Sequence, residues 1–240
     1  MAMILAAVAA AATPTVCNES CGNLTIPYPF GTRKGCYRDE YFHISCKDST
    51  PFLKGGNLQV LDISLHGEFR ISSWVAYDCY KQLVRNGYDD RSLWLFNYSI
   101  SYKRNKFMAI GCDTCGYLRG YTKQKSITNC MAYCNTMDDV IDGFCSGVGC
   151  CETQNPMGVL DYNLSVRSYN SHNGILDINP CGFALIVEEG EYNFSKVHLY
   201  NLSDIEKMPM VVDWAIEIQR KNMRIKTQFN NSLMSITFNL

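Results

Sequence analysis

The sequence predicts a mainly β protein built from two disulfide-rich β modules with little helix. Three observations support this prediction: 13 cysteines in 240 residues, stretches in which apolar and polar residues alternate, and Asn-Gly and Gly-Gly pairs that favour turns. Hydrophobic residues make up 47% of the chain, which is enough for a packed core and does not fit a disordered protein.

The predicted strands begin at residue 68. Residues 68–77 alternate, with Phe69, Ile71 and Val75 on one face and mainly polar residues on the other. Turns are predicted at 55–56, 86–87 and 173–174, and a single short helix at 127–140. Further strands, rich in aromatic and β-branched residues, are predicted at 92–102, 161–169, 183–188, 192–200 and 210–218.

The number of cysteines indicates an oxidising compartment, in which disulfides hold loops together. The alternative is a cytosolic zinc protein, but zinc sites usually bring short-spaced Cys pairs in tandem, often with His. Only Cys112 and Cys115 form such a C-x-x-C pair, and the four histidines are scattered. Disulfides are therefore predicted, and no metal site.

Two adjacent cysteines, Cys150 and Cys151, point in different directions in an extended chain, so each is expected to have its own partner. The other pairings stay open, because a sequence alone does not fix disulfide connectivity. Short-range pairs are among the options, namely Cys17 with Cys21 and Cys130 with Cys134.

Residues 1–12 form an apolar segment that ends in alanines shortly before the first cysteine. This pattern is typical of a signal peptide with cleavage near residues 10–12. No other segment approaches about 18 consecutive apolar residues, so no transmembrane helix is predicted. A secreted chain with Asn-x-Ser/Thr sequons is expected to be N-glycosylated. The seven sequons lie at Asn18, Asn23, Asn97, Asn163, Asn193, Asn201 and Asn230.

Charge is distributed unevenly along the chain. Residues 1–126 contain 15 Lys and Arg against 10 Asp and Glu, whereas residues 127–240 contain 7 against 13. This asymmetry favours two modules with a boundary near residues 120–130, of which the basic one is better suited to an acidic polymer. Chance variation in surface charge is the alternative.

Two motifs with a specific cysteine frame stand out. The first reads CNESCGNLTIPYPFG and covers residues 17–31. The second reads CSGVGCC at 145–151 and is followed by PCGFA at 180–184 and MPMVVDWAI at 208–216. Together these motifs closely resemble the extracellular region of plant wall-associated receptor kinases, and the likeness covers residues 17–216.

By this resemblance, residues 17–125 correspond to a galacturonan-binding module and residues 126–216 to the wall-associated kinase segment that follows it. Residues 217–240 form a divergent tail, where that family normally continues into EGF-like repeats, a membrane span and a kinase. The family usually has an apolar residue at Cys115, which is therefore expected to be a free thiol. The cysteines expected to form disulfides are Cys17, Cys21, Cys36, Cys46, Cys79, Cys112, Cys130, Cys134, Cys145, Cys150, Cys151 and Cys181.

The resemblance implies non-catalytic binding of de-esterified pectin, a galacturonate polymer. The repeated carboxylates of such a polymer suit Arg, which pairs with them in a bidentate manner, and Lys, which acts as a point charge. For each basic residue the alternative is an ordinary solvated charge. The candidate ligand-binding residues are Arg33, Lys34, Arg38, Lys103, Arg104 and Lys106, with Tyr28 and Tyr37 as stacking surfaces.

The two prolines of the string IPYPFG, residues 26–31, fix the backbone in an extended, stiff form. Such a strip presents Tyr28 and Phe30 either to a sugar or to a small core, and we favour packing into the core.

Other functions are weighed against this one. The main alternative is an interaction protein that binds a peptide or a receptor ectodomain. A large exposed apolar patch would indicate such a protein. The motifs of a kinase are absent, and a net charge of −1 does not favour nucleic acid. No catalytic residue and no cofactor is predicted. The expected location is the extracellular space or cell wall, and the plasma membrane is the alternative if the gene continues to a membrane span and kinase.

Overall fold

The computed structural model describes residues 17, 19–54, 58–120, 126–200, 202, 205–214, 216–220 and 223–227. These residues form 19 strands and three 3₁₀ helices, with no α-helix among them. No helix in these ranges has the length and apolar character needed to cross a membrane. The prediction of a mainly β fold with little helix is confirmed.

The strands differ widely in length, from two to eight residues. In chain order they are β1 (Glu19–Cys21), β2 (Leu24–Ile26), β3 (Ile44–Lys47), β4 (Thr50–Leu53), β5 (Val60–Ile63), β6 (Glu68–Trp74), β7 (Ala76–Lys81), β8 (Val84–Asp89), β9 (Arg91–Trp94), β10 (Ser99–Ile100), β11 (Asn105–Ile110), β12 (Asp113–Gly120), β13 (Ser126–Tyr133), β14 (Cys150–Gln154), β15 (Asp161–Arg167), β16 (Cys181–Glu188), β17 (Lys207–Asp213), β18 (Ile216–Arg220) and β19 (Met223–Thr227). The 3₁₀ helices are Glu40–Phe42, Met137–Asp139 and Lys196–Leu199.

Three larger antiparallel sheets make up most of the fold. Sheet A has the strand order β10-β17-β6-β5, sheet B the order β14-β11-β16-β7-β8, and sheet C the order β13-β12-β15-β9. Three two-stranded ribbons, β1-β2, β3-β4 and β18-β19, complete the described part. The first two ribbons lie at the amino-terminal end, where the first cysteine motif was found.

The predicted modules, residues 17–125 and 126–216, do not correspond to separate sheets. β17 pairs with β6 in sheet A, β16 pairs with β11 and β7 in sheet B, and β13 and β15 flank β12 in sheet C. Each larger sheet therefore combines strands from both sides of the predicted boundary. Charge composition is a local property of the sequence, whereas these pairings join segments that are far apart in the chain.

The centre of sheet B is buried on both faces, as the apolar residues of its central strand β16 show. Ala184 and Ile186 belong to one hydrophobic cluster, and Phe183, Leu185 and Val187 belong to a second. Successive side chains of a strand point to opposite faces, so an uninterrupted apolar run fills two cores at once.

The amino-terminal segment packs against sheet A through aromatic rings. The ring centroid of Phe30 lies 5.1 Å from that of Phe42, 5.7 Å from Phe69 and 5.6 Å from Trp214. All three contacts are edge-to-face, the arrangement that the quadrupoles of aromatic rings favour. Because Phe69 lies on β6 and Trp214 follows β17, this contact joins the first cysteine motif to strands from both halves of the chain.

Several strand predictions are confirmed. Residues 68–77 contain β6, in which Phe69 and Ile71 are buried and their neighbours are half-buried. Residues 161–169 contain β15, and residues 183–188 lie within β16. In these segments the apolar pattern matches the face or faces that the strand buries.

Other predictions of secondary structure are wrong. The helix predicted at 127–140 is instead β13, which buries alternate side chains against β12, followed by a 3₁₀ turn. Residues 192–200 contain a 3₁₀ helix rather than a strand. The segment 92–102 is divided into β9 and β10 by a turn in which Phe96 has a φ of 56°, and the segment 210–218 is divided into β17 and β18.

The predicted turns have mixed outcomes. The Asn-Gly pair at 173–174 lies in a turn, where Gly174 adopts a φ of 82°. The pair at 86–87 lies within β8, where a bulge in the pairing with β7 absorbs it. The pair at 55–56 lies outside the described residues, as does the predicted signal peptide at 1–12.

The structure places the twelve cysteines that were expected to pair in six disulfides. Cys150 and Cys151 have separate partners, as expected, and the bond from Cys151 to Cys130 ties sheet B to sheet C. Cys115 forms no disulfide and is buried on β12. The six bonds are Cys17–Cys36, Cys21–Cys46, Cys79–Cys181, Cys112–Cys134, Cys130–Cys151 and Cys145–Cys150.

The short-range pairs that the sequence left open, Cys17 with Cys21 and Cys130 with Cys134, are not formed. Cys17 precedes β1 and Cys21 is the last residue of that strand, and each forms a disulfide with a different segment. β13 is extended between residues 130 and 133 and separates Cys130 from Cys134 along the strand direction. For Cys130 and Cys134 the physical reason is this extended backbone, which carries near neighbours in sequence apart.

Candidate functional site

Five candidate ligand-binding residues lie in the loop between β2 and β3, residues 27–43, called here the amino-terminal loop. Its backbone is closed by hydrogen bonds from Arg38 N–H to the Pro29 carbonyl, at 3.0 Å, and from Cys36 N–H to the Arg33 carbonyl, at 2.9 Å. The Cys17–Cys36 disulfide fixes the loop to the start of the described chain. The five residues are Tyr28, Arg33, Lys34, Tyr37 and Arg38.

The two aromatic residues of the IPYPFG string have opposite environments. Phe30 is 1% exposed and lies in the core, as favoured from the sequence, whereas Tyr28 is 63% exposed. Gly31, which ends the string, is required by a close approach: a Cβ there would lie 2.6 Å from the Cys36 carbonyl oxygen. The string therefore anchors the loop through Phe30 and leaves Tyr28 on its surface.

A buried carboxylate organises the basic part of the loop. Glu19, on β1, is 7% exposed and accepts hydrogen bonds from the Thr32 N–H, at 2.5 Å, and from Arg33 Nε, at 2.6 Å. Burial by itself raises the pKa of the Glu19 carboxyl, but the hydrogen bonds from Arg33 and Thr32 outweigh it and lower the pKa below its usual value. Glu19 therefore stays ionised and orients the Arg33 side chain.

Replacing Glu19 with Gln is expected to destabilise the protein by about 1–3 kcal/mol at neutral pH, because one of the two donors loses its acceptor. Since the carboxyl has a lowered pKa in the folded state, its contribution is present above the unfolded pKa and is lost as pH falls through the folded one. The difference between Glu19→Gln and the parent protein should therefore shrink in acid. Urea unfolding between neutral pH and about pH 3 measures it, and a difference that does not depend on pH would contradict this assignment.

The two adjacent cations, Arg33 and Lys34, remain accessible. The Arg33 side chain is 66% exposed, although Glu19 takes its Nε–H. Lys34 is exposed and forms no ion pair within the described residues. Tyr37 is half-buried, with its ring centroid 5.0 Å from that of His43, and Arg38 is half-buried as well.

The other basic candidates, Lys103, Arg104 and Lys106, lie on and before β11. Lys103 is exposed and its ammonium lies 5.7 Å from the centroid of the Tyr102 ring. The remaining two belong to a network of ion pairs that the sequence did not reveal. Arg104 pairs with Glu188 at 2.9 Å and with Glu68 at 3.3 Å, and Lys106 pairs with Glu152 at 2.9 Å and with Glu189 at 3.4 Å.

This network leaves little positive charge for a ligand. The hydrogen bond to Glu152 raises the pKa of Lys106 despite partial burial, so its charge is committed to that carboxylate. Arg70 adds a further cation, but it too pairs with Glu188 and with Glu191, at 3.0 Å. Acidic groups at least balance the basic ones here, so this region is a poorer site for a polyanion than the amino-terminal loop.

A shallow groove of about 450 Å³ lies between β2 and β5. Leu61 and Leu65 at its wall are 40% and 58% exposed. Asp62 is its one charged lining residue, so the groove is not suited to an anionic ligand. The residues that form it are about 35 positions apart in sequence, which is why no local pattern predicted it. They are Asn23, Leu24, Thr25, Pro27, Leu61, Asp62, Ile63 and Leu65.

The sequons are unequally placed. Asn23, Asn97 and Asn193 are exposed, which a glycan requires. Asn163 is half-buried on β15, and its amide donates to the Ser92 hydroxyl at 3.2 Å. The remaining three, Asn18, Asn201 and Asn230, lie outside the described residues.

Comparison with known proteins gives the following matches. Residues 17–73 match the family described as wall-associated receptor kinase galacturonan-binding. Wall-associated receptor kinases 2 and 3 of Arabidopsis thaliana are each 34% identical to the chain, over 206 and 220 residues that cover 83% of it. Wall-associated receptor kinase 1 of the same organism is 30% identical over 205 residues. The chain spans 28–29% of the length of these relatives. No solved structure matches it.

Proposed function

We propose, from the premise that this chain is a relative of the extracellular region of plant wall-associated receptor kinases, that it binds galacturonan without catalysis. The observation that supports this most directly is the family match at residues 17–73, which contain the amino-terminal loop. Six disulfides fit an oxidising, extracellular location such as the cell wall.

The proposed site centres on Arg33 and Lys34. Glu19 binds only the Nε–H of Arg33, and the other guanidinium N–H groups form no hydrogen bond within the described residues. They are therefore available to a galacturonate carboxylate, while Lys34 offers a point charge to the next one. Glu19 acts as a positioning residue, because it fixes the guanidinium from the buried side.

Exchanging both cations, Arg33→Gln with Lys34→Gln, is expected to weaken oligogalacturonide binding about tenfold. Each exposed charge contact contributes up to about 1 kcal/mol, and two losses of about 0.7 kcal/mol each give the roughly 1.4 kcal/mol that a factor of ten requires. Isothermal titration calorimetry at low and high salt measures the effect, and affinity of the parent protein should fall with salt because exposed charges are screened.

The matched control is Arg104→Gln with Lys106→Gln, which removes the same two charges from the ion-pair network and should leave affinity nearly unchanged. Equal loss of affinity in both variants would show that only the overall charge of the protein matters. Equal affinity of the parent protein for a neutral glucan would contradict the role of the carboxylates altogether.

Binding of a peptide or receptor ectodomain is the second candidate function. The apolar groove between β2 and β5 favours it, since Leu61 and Leu65 expose apolar surface without a positive charge nearby. Replacing Leu65 with Asp would abolish capture of such a partner and would leave oligogalacturonide binding intact.

A further inference from the structure

The outer face of sheet C carries aromatic and cationic side chains that lie outside the family match at residues 17–73 and outside the two cysteine motifs. Residues directly opposite in an antiparallel pair share a face. Ile127 is thus aligned with Arg119 and Asn163, and Asn129 with Tyr117. Met131 is aligned with Cys115 and Arg167, and Tyr133 with Asp113.

Four apolar or aromatic side chains at this face are open to solvent, whereas Cys115 is buried. Ile127 is 68% exposed, Met131 57%, and Tyr133 and Tyr169 each 50%. Tyr169 follows β15, and its ring neighbours that of Tyr133, with centroids 6.4 Å apart and planes tilted by 33°. These two half-exposed, neighbouring rings form a short aromatic surface against which a sugar ring can pack.

One exposed cation on this face has no carboxylate partner among the described residues. Arg119 lies over the Tyr117 ring, 5.1 Å from its centroid, and donates a hydrogen bond to the Ser165 hydroxyl at 3.2 Å. Arg167, by contrast, makes a bidentate pair with Asp90 at 2.7 and 2.6 Å. The ring of Tyr117 and the Ser165 hydroxyl therefore hold the Arg119 guanidinium in place without neutralising it.

We propose that this face, with Tyr117, Tyr133, Tyr169, Met131 and Arg119, is a second binding surface for an acidic polysaccharide. A sugar ring has apolar C–H faces that lie on aromatic rings and hydroxyl groups at its rim. The Asn129 amide is exposed beside Tyr117 and suits those hydroxyls. The unpaired guanidinium of Arg119 suits a uronate carboxylate and gives the face its preference for an anionic polymer over a neutral one.

This inference rests on the proposed function and extends it. A long galacturonan chain that contacts both the amino-terminal loop and sheet C would bind more tightly than a short oligomer, which reaches only one of them. Length dependence of the affinity is therefore the property that the second surface adds.

The test is hydroxyl-radical footprinting, read by mass spectrometry, with and without long galacturonan. Oxidation of Met131, Tyr133 and Tyr169 is expected to fall on binding. Met157, which is 72% exposed and lies between β14 and β15, is the internal control and should be oxidised as before. The variant Tyr133→Ala with Tyr169→Ala should fold, since both rings are half-exposed, and should bind long galacturonan about tenfold more weakly.

The outcomes separate this inference from the proposed function. If long galacturonan does not bind the parent protein at all, the proposed function fails. If it binds and only the amino-terminal loop is protected, the function stands and the second surface is overturned. Equal protection by a neutral glucan would overturn the role of Arg119.

Two other occupants of the face would also overturn the inference. Protection that rises with protein concentration without sugar would show that a second copy or another protein surface covers it. Protection that is present without added sugar and is lost in Asn163→Gln would show that the chain's own glycan lies there.

Discussion

Replacing Cys79 and Cys181 together with alanine is expected to lower the free energy of unfolding by about 4–5 kcal/mol. This disulfide joins directly opposed residues of β7 and β16 and closes a loop with a sequence separation of 102. In the chain-entropy model the bond restricts the unfolded chain, and the restriction grows with the length of the loop. None of the other five disulfides closes a loop of more than 25 residues.

The matched control is Cys145→Ala with Cys150→Ala, which removes a bond between residues only 5 apart. The same model gives about 2 kcal/mol for so short a loop. Urea unfolding of the two variants, with the remaining five bonds verified by peptide mapping, measures the difference. A larger loss in the short-loop variant would show that local packing around Cys150, and not loop entropy, determines the contribution of these bonds.

The sequence predicted β-structure well where one strand buries a regular face. In β6 the apolar residues alternate, and the structure buries Phe69 and Ile71 accordingly. In β13 the burial of the side chains also alternates, but apolar residues occupy both faces. The exposed positions include Ile127 and Met131, and the buried positions are Cys130 and Ala132. Apolar residues on both faces hide the period of two, so the segment looked compatible with a helix.

Local sequence patterns do not predict which strands pair with each other. β17 pairs with β6, and the register joins residues such as Val212 and Phe69 that are more than 140 positions apart. The first cysteine motif also completes its core with Trp214. The predicted boundary between the modules was read from charge and motif positions, and neither depends on which distant strands meet.

The candidate site could be predicted only in part, because local patterns do not show which distant residues meet. The sequence pointed to Arg33 and Lys34 and to Arg104 and Lys106 on equal terms, since all four are basic residues in the basic half of the chain. Only the fold brings Glu188 to within 2.9 Å of Arg104, from 84 residues away. The outer face of sheet C was not predicted either, because its residues come from β12, β13 and the segment after β15, and no single strand contains them all.

Replacing Phe30 with alanine is expected to lower the free energy of unfolding by about 3–5 kcal/mol, the usual cost of removing a large buried aromatic side chain. Phe30 is 1% exposed and touches Phe42, Phe69 and Trp214, so the variant leaves a cavity where the amino-terminal segment meets sheet A. Thermal or urea unfolding measures the loss. Binding of oligogalacturonide should also weaken, because Phe30 holds the loop that presents Arg33.

The neighbouring Tyr28→Ala variant separates anchoring from binding. Tyr28 is 63% exposed, so its removal should change stability by less than about 0.5 kcal/mol, as for most surface substitutions. If Tyr28 stacks on the sugar, oligogalacturonide affinity should fall in this variant while the unfolding curve stays unchanged. A large loss of stability in Tyr28→Ala, or none in Phe30→Ala, would mean that the IPYPFG string does not hold the loop through Phe30.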